Sequence, residues 1–137
     1  MRFGVLVLKK IFLLLIIFNA VVFALNDTEI KLFEKLFTTL FQKDVVIVYS
    51  EQSRYKNLNT LHLKSVKNCY RADIVLGVSK YCKYKPHFLL NYYNYMDNSD
   101  AIGAFYWRKG RPQLRLRKKQ ILRWHLHISP EFKEFLE

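Results

Sequence analysis

The chain has 137 residues, of which 23 are Lys or Arg and 11 are Asp or Glu, giving a formal net charge of +12 at pH 7, and 51% of it is hydrophobic. That length supports one small hydrophobic core and excludes a second domain. The positive balance favours anionic partners, although plentiful Lys, Asn, Tyr, Phe and Ile beside only 4 Gly is also what an AT-rich coding bias produces.

At the N-terminus, Arg2, Lys9 and Lys10 precede the apolar run Ile11-Phe12-Leu13-Leu14-Leu15-Ile16-Ile17-Phe18, which closes in Val22-Phe23-Ala24. This tripartite pattern is that of a secretory signal peptide over residues 1–24, cleaved before Leu25. The competing reading is an uncleaved anchor in the inner membrane. The apolar stretch over residues 11–25 contains Asn19, however, and falls about five residues short of the roughly 20 that span a bilayer as a helix. The leader puts the working protein in the periplasm, where it meets no cytoplasmic nucleic acid and where a disulfide is permitted. It removes three of the 23 basic residues and none of the 11 acidic ones, leaving +9 on a single exported domain over residues 25–137.

Asn26 and Glu29 make a capping-box-like start, after which Ile30, Phe33, Leu36, Phe37, Leu40 and Phe41 recur at helical spacing; residues 28–42 are predicted to be an amphipathic helix. Asp44 breaks the pattern. Val45-Val46-Ile47-Val48-Tyr49 follows, a β-branched run of the kind buried on both faces of a sheet. Residues 50–59 read as a loop or short helix. Leu61 and Leu63 alternate with His62 and Lys64 in a short strand, ahead of a turn near Lys67-Asn68. Ile74-Val75-Leu76-Gly77-Val78 reads as a central strand, and His87-Phe88-Leu89-Leu90-Asn91 as another, with Pro86 at its tolerated start.

A Tyr- and Asn-rich link occupies residues 92–100. Residues 101–108 and 113–118 then flank Lys109-Gly110-Arg111-Pro112 as a β-hairpin, with Leu114 and Leu116 pointing inward and Arg115 and Arg117 toward solvent. Two short helical segments close the chain. One lies around residues 119–124; the other starts at Ser129 with Pro130 in its first position. The expected fold is a small single α/β domain: a mixed, partly parallel sheet of about five strands with flanking helices, and a C-terminal hairpin followed by short helices.

The densest charge feature is the cation series Arg108, Lys109, Arg111, Arg115, Arg117, Lys118, Lys119 and Arg123, which no carboxylate interrupts between Asp100 and Glu131. With Trp107 and Trp124 beside it, such a series suggests nucleic acid in a cytoplasmic protein. Export turns it into a protein-contact surface or a plain solvated strand face. Cys69 and Cys82 bracket the strand predicted over residues 73–78. A strand of that length separates its ends by about 16 Å, whereas a disulfide needs Cα atoms within about 7 Å. A free or intermolecular pair therefore stands ahead of the direct bond, which stays open. His125 and His127 share one side of an extended segment, but a zinc site needs three or four ligands and the sequence supplies no Cys-x-x-Cys or His-Glu-x-x-His pattern. No carboxylate pair, serine or glycine loop has the context of a catalytic motif. Tyr81, Tyr84, Tyr92, Tyr93 and Tyr95 are either a stacking surface for a sugar or peptide, or half-buried packing residues.

Three segments taken together, Cys69-Tyr-Arg-Ala-Asp-Ile-Val-Leu-Gly-Val-Ser79, Lys85-Pro-His-Phe-Leu-Leu-Asn91 and Ala101-Ile-Gly-Ala-Phe-Tyr-Trp-Arg-Lys-Gly-Arg-Pro-Gln-Leu-Arg-Leu-Arg117, with the closing Leu126-His-Ile-Ser129, resemble the YfiR-like family of periplasmic regulators. The resemblance covers residues 69–132. It implies a non-enzymatic α/β domain, without a cofactor, that restrains a membrane-bound signalling enzyme, typically a diguanylate cyclase, by binding its periplasmic part. The chain departs from the family in a shorter region before Cys69, in Asp100-Ala101 where the family has a doubled glycine, and in having only two cysteines.

The sequence thus points to an exported regulator acting by contact with an envelope or inner-membrane protein. Arg108, Arg111, Arg115 and Arg117 are its expected carboxylate donors, and Trp107 and Trp124 its aromatic anchors. A second copy of the chain is a further partner to consider. Two other readings stand beside this one: a reduced solute-binding lobe for a small anion, and an envelope-polymer binder using the Tyr-rich link.

Overall fold

The computed structural model describes residues 25–137. The expected signal peptide over residues 1–24 lies outside the described residues, so the expected cleavage before Leu25 is not addressed by them. The helical spacing after Asn26 becomes one helix, α1 (Leu25–Phe41). Its apolar stripe, Leu32, Phe33, Leu36, Phe37 and Leu40, is buried. Gln42 stops it by turning to φ +53, which lets Lys43 N–H donate to Thr38 O at 3.2 Å. This is a Schellman-type ending with glutamine in the left-handed position usually given to glycine.

Six strands follow: β1 (Val46–Ser50), β2 (Leu63–Ser65), β3 (Ile74–Leu76), β4 (His87–Leu89), β5 (Gly103–Arg108) and β6 (Arg111–Leu116). They form one mixed sheet in the order β2-β1-β3-β4-β5-β6. The neighbours from β2 to β5 are parallel and the β5–β6 pair is antiparallel. The α/β class is as expected, with one strand more than anticipated. The order of the parallel part is that of doubly wound sheets, in which successive connections leave the first strand on opposite faces.

The two faces are covered unequally. Against the first, α1 and the C-terminal segments α3 (Lys118–Arg123) and the 3-10 turn Pro130–Phe135 bury a core that includes Phe33, Phe37, Val46, Val48, Leu63, Ile74, Phe88, Ile121 and Phe132. On the second face the core is small: Leu89, Tyr95, Ala101, Ala104 and Tyr106. Its cover is α2 (Tyr92–Asp97), for which Asn91 is the cap, its side chain accepting from Asn94 N–H at 2.8 Å. The segment read as a link is thus a helix; the Asn91 signal was present, but the run of tyrosines obscured it. The thin cover also corrects the expectation for β1. Val46, Val48 and Ser50 are buried while Ile47 and Tyr49 are only half-buried, so the strand is closed on one face alone.

Other differences are local. Leu61 is exposed, and β2 begins only at Leu63. The strand at residue 74 ends at Leu76 because Gly77 turns away at φ +90. Ser129 precedes the last turn without a side-chain capping bond. The C-terminus closes the β6 edge: Glu137 N–H donates to Leu116 O at 2.7 Å, and Lys118 N–H to Glu137 O at 3.2 Å.

The shortness of β3 overturns the ordering of alternatives for the cysteines. Cys69 and Cys82 are disulfide-bonded, with Cα atoms 6.1 Å apart. A three-residue strand, rather than six, lies between the 3-10 turn Cys69–Arg71 and the bend at Gly77, so the chain can double back within bonding distance.

Candidate contact surface

The β5–β6 hairpin has a two-residue turn, Lys109-Gly110, with φ +52 and +75, rather than the four-residue connection expected. Both central residues are left-handed, which matches the twist of the flanking strands. Arg111 and Pro112 are therefore strand residues, opposite Arg108 and Trp107. Pro112 lacks a donor, but it sits on the edge strand where this is tolerated.

Register decides which side each residue takes. Phe105, Trp107, Leu114 and Leu116 belong to the main core. The pairs Ala104↔Arg115, Tyr106↔Gln113 and Arg108↔Arg111 alternate to the other face. That face is the one α2 covers, so Arg115 and Arg117 do not point freely to solvent as expected. Arg115 Nε donates to the Glu137 carboxylate and its Nη1 to Tyr106 Oη at 3.3 Å. The hydrogen bonds to Glu137 and Tyr106 push the guanidinium further up from its already high range. Arg117 donates from Nη1 to Asn98 O at 2.6 Å and to Ala101 O at 3.3 Å, and from Nη2 to Tyr95 O at 2.6 Å. Its guanidinium lies 3.8 Å from the centre of the Tyr95 ring. Arg117 thus satisfies carbonyls at and just beyond the end of α2, a structural task. Tyr95 itself is pushed up to about 12, chiefly because burial disfavours the phenolate.

Arg108 and Arg111 remain at the hairpin tip. Both are exposed. Arg108 stacks 3.7 Å over Tyr92, held in turn by Tyr93 and Tyr106 with ring centres at 5.4 and 5.9 Å. Among the described residues, neither arginine nor Lys109 has a salt-bridge partner. The tryptophans are less free. Trp107 and Trp124 are half-buried against the main core, Trp107 edge-on to Phe105 at 6.4 Å, so each offers only its outer part to a partner. The five tyrosines divide similarly: Tyr95 is buried and Tyr92 half-buried, while Tyr81, Tyr84 and Tyr93 are exposed.

Doubly wound sheets bind ligands outside the carboxyl ends of the strands, where the strand order reverses. Here that place is the end of β1 and β3, and its polar atoms already serve one another. Ser50 Oγ donates to Leu76 O at 2.8 Å and accepts from Gln52 N–H at 3.2 Å. Ser79 Oγ donates to Glu51 Oε1 at 3.2 Å. The Gln52 amide lies over Gly77, its nitrogen 3.1 Å from where a Cβ would stand. The carboxylate of Glu51 makes this a poor seat for an anion. His125 breaks the extended path to His127 by turning to φ +56, and no group of three His, Cys, Asp or Glu side chains assembles as a metal site among the described residues.

Sequence reasoning missed the cluster beneath α1. Glu29 is buried, accepts from Tyr55 Oη at 2.8 Å and pairs with Arg54 at 2.5 Å. Burial raises the Glu29 carboxyl above its ordinary range against the opposing pull of Tyr55 and Arg54. The Tyr55 phenol is pushed up as well, first by burial and then by the carboxylate beside it. Comparison with protein-family models, curated proteins and solved structures finds no match for this chain.

Proposed function

We propose that this protein is an exported, non-enzymatic regulator that binds the acidic face of an envelope or inner-membrane protein with its hairpin tip. The observation that carries this reading is the register pair Arg108↔Arg111 with Lys109 between them. Like charges directly opposite one another in a sheet are destabilising, and among the described residues no carboxylate pairs with them. A partner that supplies carboxylates relieves them and gains bidentate hydrogen bonds from a preset strand geometry. Trp107, next to the tip but on the opposite face of the hairpin from Arg108 and Arg111, adds an aromatic contact for a partner that grips the tip from both sides.

The Cys69–Cys82 disulfide supports a site of action outside the cytoplasm. The segments that resemble the YfiR-like regulators include this hairpin. On that resemblance the partner is the periplasmic part of a membrane signalling enzyme, and regulation works by occupancy: the domain binds one state of the enzyme and shifts its population.

The test is co-purification from detergent-solubilised membranes, comparing the parent with R108E/R111E. The parent retains an inner-membrane protein; the reversed variant, with an unchanged melting temperature, loses it. Equal recovery by both would sink the hairpin-tip reading.

A further inference from the structure

The disulfide does more than join two segments. Tyr70 and Tyr81 each adjoin a bonded cysteine, and Tyr84 lies just beyond Cys82. The crosslink therefore gathers three tyrosines that are 84%, 85% and 89% exposed. A single exposed aromatic needs no explanation. Three on one crosslinked knot make a surface, in a domain that buries Tyr55, Tyr95 and Tyr106. Arg71, Lys80 and Lys83 stand exposed among them. Asp73, the acidic residue of residues 69–85, is already engaged by Lys43 at 2.6 Å and by Ile47 N–H at 2.9 Å; Glu51 is held by Ser79, and among the described residues none of the three cations has a salt-bridge partner.

The composition of this surface differs from that of the hairpin tip. Arginine and the aromatic residues, tyrosine included, are enriched at protein interfaces and lysine is depleted. What distinguishes the knot is its lysine, and lysine beside tyrosine is a pairing suited to a lipid interface. There an amphipathic ring sits at headgroup depth, a lysine stem lies along apolar surface with its ammonium toward phosphate, and each added cation strengthens attraction to anionic lipid. The crosslink lowers the ordering cost of docking.

We infer that the knot over residues 69–85 docks the domain on an anionic phospholipid surface. Tyr70, Tyr81 and Tyr84 enter the headgroup layer, and Arg71, Lys80 and Lys83 face phosphates. The knot and the hairpin tip are separate surfaces: the knot precedes β3, leaves its carboxyl end at Gly77 and returns to the amino end of β4, whereas the Lys109-Gly110 tip joins β5 to the edge strand β6. This inference does not depend on the identity of the protein partner.

Residues 25–137, which contain both cores, are tested by co-sedimentation with phosphatidylglycerol/phosphatidylethanolamine vesicles and with phosphatidylcholine vesicles. Variants are first matched to the parent by thermal unfolding. Binding is expected on the anionic vesicles and to fall steeply with salt. K80Q/K83Q is expected to lower affinity on the order of 30-fold, while R108Q/R111Q, which removes the same charge, lowers it less than about threefold. Y81S/Y84S, with no change of charge, lowers it about tenfold or more, and a Tyr84→Trp reporter shifts its emission to the blue on the anionic vesicles. Equal losses from the two neutralised pairs would reduce the effect to net charge and overturn the inference. So would indifference to Y81S/Y84S, equal binding to both vesicle types, no binding, or binding to soluble polyglutamate as tight as to vesicles, which would assign the knot to an acidic protein.

Discussion

Arg117 and Arg111 have the same chemistry and opposite roles. Arg117 serves three carbonyls around the end of α2, and hydrogen bonds to a charged group are among the stronger ones. We expect R117A to lower stability by about 2–3 kcal/mol in urea unfolding, and R111A to stay within about 0.5 kcal/mol of the parent. Nothing in the local pattern separates them, since both are cations at the end of a strand. Glu29 makes a second case. Its folded-state carboxyl titrates above its ordinary value of 4.5, so above that value the folded protein holds a proton that the unfolded chain releases. Its contribution is then most favourable below 4.5 and is lost as pH rises through the folded-state value. The melting temperature of the parent minus that of E29Q should therefore fall as pH rises from about 4.5 toward 7. A difference that stays flat, or rises, would contradict a raised Glu29.

At the scale of elements, close approach within the hairpin turns on Gly103. A Cβ there would stand 2.5 Å from Arg115 O and 2.9 Å from Leu116 Cδ2. One contact is backbone and cannot swing aside, so G103A should cost about 1–3 kcal/mol, read as a lower urea midpoint. A midpoint unchanged from the parent would mean that β5 and β6 separate more readily than this geometry allows. The hairpin itself was legible: apolar alternation and Lys109-Gly110 are local signals. Its turn length was not, because Arg111 and Pro112 read as loop residues until the register pairs them with Arg108 and Trp107. Similarly, α1 followed from spacing, while α2 was hidden because its tyrosines do not form an apolar stripe and only Asn91 marked its start.

For the whole molecule, Phe33 joins the layers. Its ring meets Phe37 on α1 at 5.3 Å, Tyr55 at 6.2 Å, Phe88 on β4 at 5.6 Å and Phe105 on β5 at 6.0 Å. F33A removes the common neighbour of the helix and two strands, and a cost of about 3–5 kcal/mol is expected, with α1 and the sheet melting together in circular dichroism and aromatic fluorescence. A sheet signal that outlasts the helix would show that α1 is not integral to the fold. The order of most elements and the α/β class are local properties of the chain, because hydrophobic period and helix signals act between residues a few positions apart. Tertiary structure alone decided which cations remain free, which tyrosines face water and that Cys69 reaches Cys82. Those outcomes depend on how long β3 runs and on which face α2 covers, and both are set by packing between residues distant along the chain.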